Sequence, residues 1–228
     1  MSVECSLLEL DVVGDALGLD VRPFPFDVPV HGEHVGERAR LIGAATRGLI
    51  AKGLTDGRSW SPELSRSVEL FSTAPSIAMV GRAGKRNYCV RASSDGDQAV
   101  LAHWQGQLVR FELVEPRALI RSLVGLLPPM RPGPGDPLEV LLPSRHERPD
   151  LSDPQLAAAR SLLERPRLGE GYFVVENGSA AIVGTLNWLD TDAGRYAVIP
   201  ADGYARYAAA DLAGLDRELT RLAPWGSP

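Results

Sequence analysis

A chain of 228 residues with 44% hydrophobic and 23% charged residues can bury a sizeable core, and its formal net charge of −5 argues against nucleic acid, which needs a concentrated Lys/Arg surface. Met1 to Leu10 carries Glu4 and Glu9 and lacks both a basic stretch and a continuous apolar run, so it does not read as a signal peptide; no apolar run approaches the roughly 18 residues of a membrane span. Cys5 and Cys89 stand far apart in no metal or redox spacing, which argues against a disulfide framework and for a reducing compartment, the cytoplasm.

Leu10, Val13 and Leu17 recur at helical spacing and Gly18 closes a short first helix. Three prolines between Val21 and Val30 deny that stretch a place inside a sheet, so it is an edge strand or an extended surface segment. Val35, Ala39, Ile42, Thr46 and Leu49 make one face of the next helix, ended by Gly53 and Gly57. A helix follows over Trp60 to Phe71, with Ser61 as N-cap, Pro62 at its first position and Leu64, Val68 and Phe71 as its buried edge. Ser76 to Arg82, Asn87 to Ala92, Ala99 to Trp104 and Leu108 to Val114 read as strands, and a helix starts near Pro116 and ends at Leu127-Pro128.

The run Pro128 to Pro137 is rich in Pro and Gly and forms a stiff seam. Beyond it lie a short strand at Leu138 to Leu142, a polar loop at Pro143 to Asp153, a helix over Gln155 to Glu164 and a strand over Tyr172 to Glu176. Ala181 to Leu189 and Arg195 to Ile199 flank Asp190 to Gly194 as a hairpin, with Asp190 and Asp192 expected to hold the turn through backbone N–H groups. Asp202 is then expected to cap a long amphipathic helix through Tyr204, Tyr207, Leu212, Leu215, Leu219 and Leu222. The order helix, strand group, helix occurs twice, over about 60–128 and 152–224. The expected architecture is therefore a single α+β domain, 1–228, with two pseudo-repeat halves behind an N-terminal helix, edge-strand and helix segment at 1–57.

Catalytic motifs fail one by one. Gly81-Arg-Ala-Gly84-Lys85-Arg86 lacks the earlier glycine and the Ser/Thr of a phosphate loop. Asp190-Thr-Asp192-Ala-Gly194 has Arg195 where a calcium loop needs glycine, and Asn177-Gly-Ser179-Ala-Ala lacks the second glycine of a nucleophile elbow. His31-Gly-Glu33-His34 has the residue types of a zinc site without a third strong ligand, and His103 and His146 are linked to no nucleophile. No metal and no cofactor is expected. Trp104 and Trp188 end strands in corresponding groups, and Tyr196, Tyr204 and Tyr207 surround the second hairpin, as core aromatics or as anchors for a partner helix.

Trp188-Leu-Asp-Thr-Asp-Ala-Gly-Arg-Tyr196, the seam Arg131-Pro-Gly-Pro-Gly-Asp136, Leu17-Gly-Leu with its Pro-rich edge, and Ala99-Val-Leu-Ala before a glycine turn together resemble the EspG proteins of actinobacteria, associated with ESX (type VII) secretion. The resemblance spans nearly the whole chain. It implies a central antiparallel sheet flanked by two helical groups with quasi-twofold duplication. It also implies a cytosolic chaperone, not a catalyst, that covers the apolar tip of helical PE/PPE secretion substrates. Trp188, Leu189, Arg195, Tyr196, Tyr204, Tyr207 and Leu212 are then the expected neighbourhood of contact. Two readings compete: an enzyme with a dispersed site on His31, Glu33, His34, Asp190 and Asp192, and a structural protein forming a homodimer through its sheet edges.

Overall fold

The computed structural model describes residues 2–141 and 152–223; the expected polar loop, with His146, lies outside the described residues. Its strands are β1 (Ser2–Ser6), β2 (Ser76–Ala83), β3 (Arg86–Ser94), β4 (Ala99–Gln105), β5 (Leu108–Val114), β6 (Leu138–Leu141), β7 (Arg167–Glu176), β8 (Ile182–Thr191), β9 (Gly194–Ala201) and β10 (Tyr204–Ala209). Its helices are α1 (Leu7–Leu17), α2 (Val35–Ala51), α3 (Pro62–Thr73), α4 (Leu119–Val124, entered through a 3-10 turn at Pro116–Ala118), α5 (Pro154–Leu163) and α6 (Leu212–Leu222). The strands form one antiparallel sheet in the order β1-β5-β4-β3-β2-β7-β8-β9-β10-β6. From β2 and β7 outward, both directions run through three successive hairpin strands and end on a strand from outside that run. The chain order helix, four strands, helix occurs twice, as α3-β2-β3-β4-β5-α4 and α5-β7-β8-β9-β10-α6.

Two compact units interleave in sequence: residues 2–78, 88–119 and 176–181 in the first, and the remaining described residues in the second. The core of the first unit is dense. Leu10, Val13, Leu49, Leu64, Val68 and Phe71 pack with Val100, Val109 and Phe111 of β4 and β5. Phe71 meets Phe26 and Phe111 edge to face at 4.8 and 5.4 Å, the arrangement that the aromatic quadrupole prefers. The Pro-rich segment forms no strand; it turns at Phe24-Pro25, where Phe26 N–H donates to the Pro23 carbonyl at 2.9 Å, and sinks Val21, Phe26 and Val28 into this core.

Local chemistry explains the helix ends. Ser6 Oγ accepts from Glu9 N–H while Glu9 accepts from Ser6 N–H, a complete capping box, and Gly18 closes α1 in the left-handed region at φ 67°. Ser61 caps α3 by accepting from Leu64 N–H, with Pro62 in the first turn where its missing N–H costs nothing. The strand β1 replaces a stretch in which no element was expected: it is an edge strand whose order comes from β5, with Val3 and Cys5 turned inward.

The expected face of α2 is buried at its C-terminal end and open at its N-terminal end. Ala45 and Leu49 are its buried residues, while Val35, Ala39 and Ile42 are exposed, because α2 is tied down by charge at its N-terminal end. The Asp11 carboxylate, buried in α1, accepts from Arg38, from Arg22 at 2.8 Å and from the His31 backbone N–H at 3.1 Å. Burial alone would raise the Asp11 carboxyl, but the Arg38 and His31 hydrogen bonds outweigh it and hold it below the usual carboxylate range.

Candidate functional site

The second unit is built around the β8–β9 hairpin, and the turn is tighter than expected. Thr191 pairs with Gly194, so Asp192 and Ala193 are the turn, and Asp190 lies within β8 opposite Arg195. Asp190 does not bond backbone N–H groups there. Its two oxygens accept from Arg195 Nε at 2.6 Å and Nη2 at 2.9 Å, both side chains are fully buried, and Nη2 also donates to the Pro128 carbonyl at 3.0 Å. A two-point guanidinium–carboxylate fork is the geometry in which a buried ion pair offsets most of its desolvation.

Strand alternation gives the run from Trp188 to Tyr196 two faces. Trp188, Asp190 and Arg195 share one face, and all three are buried. The Trp188 ring occupies space that a Cβ on Gly171 or Gly81 would need, 2.1 and 2.7 Å away, and tilts against Phe173 at 5.0 Å. These two glycines are therefore part of the tryptophan's socket. Leu189 and Tyr196, paired across the hairpin, share the other face and cluster with Leu162 and Tyr207.

The Pro-Gly seam is pinned along β9. Arg195 N–H donates to the Arg131 carbonyl and Gly133 N–H to the Arg195 carbonyl, both at 2.9 Å, and the Tyr196 hydroxyl donates to the Pro134 carbonyl at 3.0 Å. A Cβ on Gly133 would fall 2.0 Å from the Tyr196 ring. Composition alone predicts only a stiff connection for this run; the long-range register with β9 makes it one wall of a cleft.

That cleft measures about 450 Å³. Pro134 to Asp136 form one wall, Ala158 and Leu162 of α5 with Arg165 just beyond its end another, and Leu138, Tyr196 and Tyr207 the floor. The α5 wall is fixed by Asp153, which caps the helix, and by the Gln155 side chain, which accepts from Glu139 N–H of β6 at 2.6 Å. Burial raises the Tyr196 hydroxyl pKa, with Arg165 opposing and Asp192 adding, and burial raises that of Tyr207, so both phenols stay neutral donors at neutral pH. An apolar floor with neutral hydroxyls and one charge of each sign at its rim suits apolar side chains presented on a polar scaffold.

The long helix expected from Asp202 is instead a hairpin followed by a shorter helix. Asp202-Gly203, with Gly203 at φ 78°, turns β9 into β10, so Tyr204 and Tyr207 are strand residues; α6 starts at Leu212, capped by Asp211, which accepts from Gly214 N–H at 2.8 Å. Asp-Gly between strands is a strong hairpin signal, and it overrides the helical spacing of the tyrosines. Tyr204, 37% exposed, pairs with Leu141, 73% exposed, on the sheet face opposite Tyr207. Leu212 is half-buried at the start of α6. Of the expected contact residues, then, Trp188 and Arg195 are enclosed on the other face of the hairpin, Tyr196 sits at the cleft floor with Leu189 packed beside it, and Tyr204, Tyr207 and Leu212 keep open surface.

Of the residues of the dispersed catalytic reading, His31 stands against Asp11 at 3.3 Å and His34 is exposed at the start of α2, in the first unit; in the second, Asp190 is bonded to Arg195 and Asp192 pairs with Arg165 at 2.8 Å. Among the described residues no group of three or more His, Cys, Asp and Glu could hold a metal. Self-pairing through β1 meets an obstacle, since Lys52 Nζ donates to the Glu4 carbonyl at 3.2 Å and to Glu9 at 2.6 Å; a lysine at a sheet edge blocks the addition of a strand. Among the described residues no helix is long and apolar enough to cross a membrane.

The family model of the EspG family matches residues 6–221. No curated protein sequence matches the chain. Among solved structures, the Mycobacterium tuberculosis type VII secretion system chaperone EspG5, solved in complex with a PE25–PPE41 dimer, is similar with a TM-score of 0.69 and 11% sequence identity, covering 100% of this chain and 99% of that one.

Proposed function

The chain belongs to the EspG family, and from that premise we propose that it is a cytoplasmic, non-catalytic chaperone that holds the apolar end of a helical PE/PPE-class protein for an ESX (type VII) secretion system. The observation that carries the reading is the unsealed second unit, where a cleft of about 450 Å³ with an apolar floor opens beside Leu138 and Tyr207. A helical protein with a bare apolar end aggregates unless that end is covered, and a cleft walled by a helix and a fixed strap covers it without a cofactor. EspG5, which shares this fold, was solved in complex with a PE25–PPE41 dimer. In this reading Tyr196 and Tyr207 of the cleft touch the client, Leu189 packs beside Tyr196, and Trp188 and Arg195 hold the hairpin in place, while Tyr204 and Leu212 lie outside the cleft lining.

Co-expression of the chain with each PE/PPE pair of its own genome, followed by size exclusion with mass determination, tests this. A stoichiometric complex is expected, lost in Tyr207→Glu. A complex that survives Tyr207→Glu moves the contact elsewhere, and the absence of any complex with every pair overturns the function.

A further inference from the structure

α2 is a 17-residue helix that its own chain hardly covers. Its C-terminal half is held by the buried Ala45 and Leu49, and its N-terminal half by the Arg38 guanidinium, bonded to Asp11, Asp15 and the His31 carbonyl. On its open side Val35, Ala39, Ile42, Thr46 and Ile50 succeed one another at steps of three or four residues, which aligns them in one stripe. Val35 is 90% exposed, Ile42 39% and Ile50 46%. Beside the stripe Arg40 and Arg47, two turns apart and both exposed, make a basic ridge with no acidic partner among the described residues. The ground between stripe and ridge is low. A Cβ on Gly36 would meet nothing within 4 Å, and one on Gly43 only the Arg47 guanidinium, so the chain's own packing does not call for glycine at either place. The result is a furrow with one apolar wall and one basic wall, a shape into which a helix packs ridge into groove.

We propose that this face of α2 docks an amphipathic helix of a different protein, apolar along its seam and acidic beside it. The charges select this occupant. A second copy of α2 brings a single acidic residue, Glu37, and it lies on the flank of the helix away from the stripe, where it accepts from Glu33 N–H, so stripe-to-stripe packing carries no acid to the ridge. An anionic membrane surface needs a longer basic run than two arginines on a chain of net charge −5. A narrow stripe with charge steering gives fast, reversible association. The inference does not rest on the chaperone reading, because α2 belongs to the first unit and the cleft to the second.

Two labelled synthetic helices of about 20 residues, close to the length of α2 and sharing one Leu/Ala seam, would carry Glu or Lys beside that seam. Each is titrated into the full chain by fluorescence anisotropy. The Glu-flanked helix should bind at least about tenfold more tightly than the Lys-flanked one. Ile42→Asp or the milder Val35→Asp should remove the binding, and Arg40→Glu with Arg47→Glu should reverse the preference, while thermal unfolding and the client complex stay unchanged. No binding of the Glu-flanked helix, or binding that survives these variants, overturns the proposal. A concentration-dependent dimer lost in Ile42→Asp would assign the stripe to a second copy. Sedimentation with phosphatidylserine vesicles that the Arg variants abolish would assign it to a membrane; either result also overturns the proposal.

Discussion

In the first unit, α3 buries Leu64, Val68, Leu70 and Phe71, and Phe26 from the Pro-rich segment completes that core by stacking on Trp104 at 5.8 Å. In the second, the helix at the matching place in the chain order, α5, buries only Ala159 and Leu162, and the space beside it stays open as the cleft. The layout of helix and strands is repeated, but the N-terminal segment supplies apolar side chains to the first unit's core, whereas among the described residues of the second the thin Pro-Gly strap stands beside the cleft. A repeated scaffold with one sealed and one unsealed member teaches where a partner is needed, because an open apolar cleft keeps unrealised the burial that the sealed one has already gained.

The largest expected effect is on the sealed side. Phe71→Ala should lower unfolding stability by about 3–5 kcal/mol in urea denaturation, whereas Leu162→Ala, beside an existing cleft, should cost about 2 kcal/mol or less. Equal losses would break the contrast between the units. Arg195→Ala leaves the buried Asp190 carboxylate without its partner and should cost roughly 3–5 kcal/mol, much of which the double change Asp190→Leu with Arg195→Met should recover. A loss confined to client binding, with stability intact, would give Arg195 a contact role instead of a scaffold one.

Gly133→Ala drives a methyl group into the Tyr196 ring and should destabilise by about 1–3 kcal/mol while displacing the strap. Loss of the client complex at a temperature where the variant is folded would sharpen the assignment of the cleft. Lys52→Met should change stability by no more than about 1 kcal/mol, since the pair it breaks is partly solvated, yet it bares the β1 edge and should raise the oligomer fraction in light scattering. A variant that stays monomeric would leave Lys52 without that role.

Acid unfolding probes the charged tie at α2. The Asp11 carboxyl is lowered in the folded state, so its contribution is complete above the unfolded value of about 3.9 and is lost as pH falls through the folded value. Asp11→Asn should flatten that acid limb in a pH series of urea midpoints. An unchanged limb would show that other carboxylates carry it.

Local signals determined a good deal of this protein. Ser61-Pro62 started α3 and Gly18 closed α1, because caps and φ restrictions act within a turn; alternation placed β3, β4 and β5, and an apolar run before the Asp190 to Gly194 turn placed β8, because period and turn residues are both local signals. The Asp202-Gly203 hairpin was equally local, but Tyr204, Tyr207 and Leu212 also fit a helical period, and only the pairing of Tyr204 with Ala201 and Leu141 removes the ambiguity.

What tertiary structure alone decided is long-range. Val35, Ala39 and Ile42 have the spacing of a buried helix face, yet Asp11, more than twenty residues earlier, draws Arg38 inward and turns them out. The pinning of Arg131 to Pro134 on β9, and hence the cleft itself, depends on residues about sixty positions apart. The order of amino acids fixes which side chains seek burial and which bends the backbone can take, but burial is a property of who arrives on the other side. The closure of the first unit and the opening of the second therefore appear only when the chain has met itself.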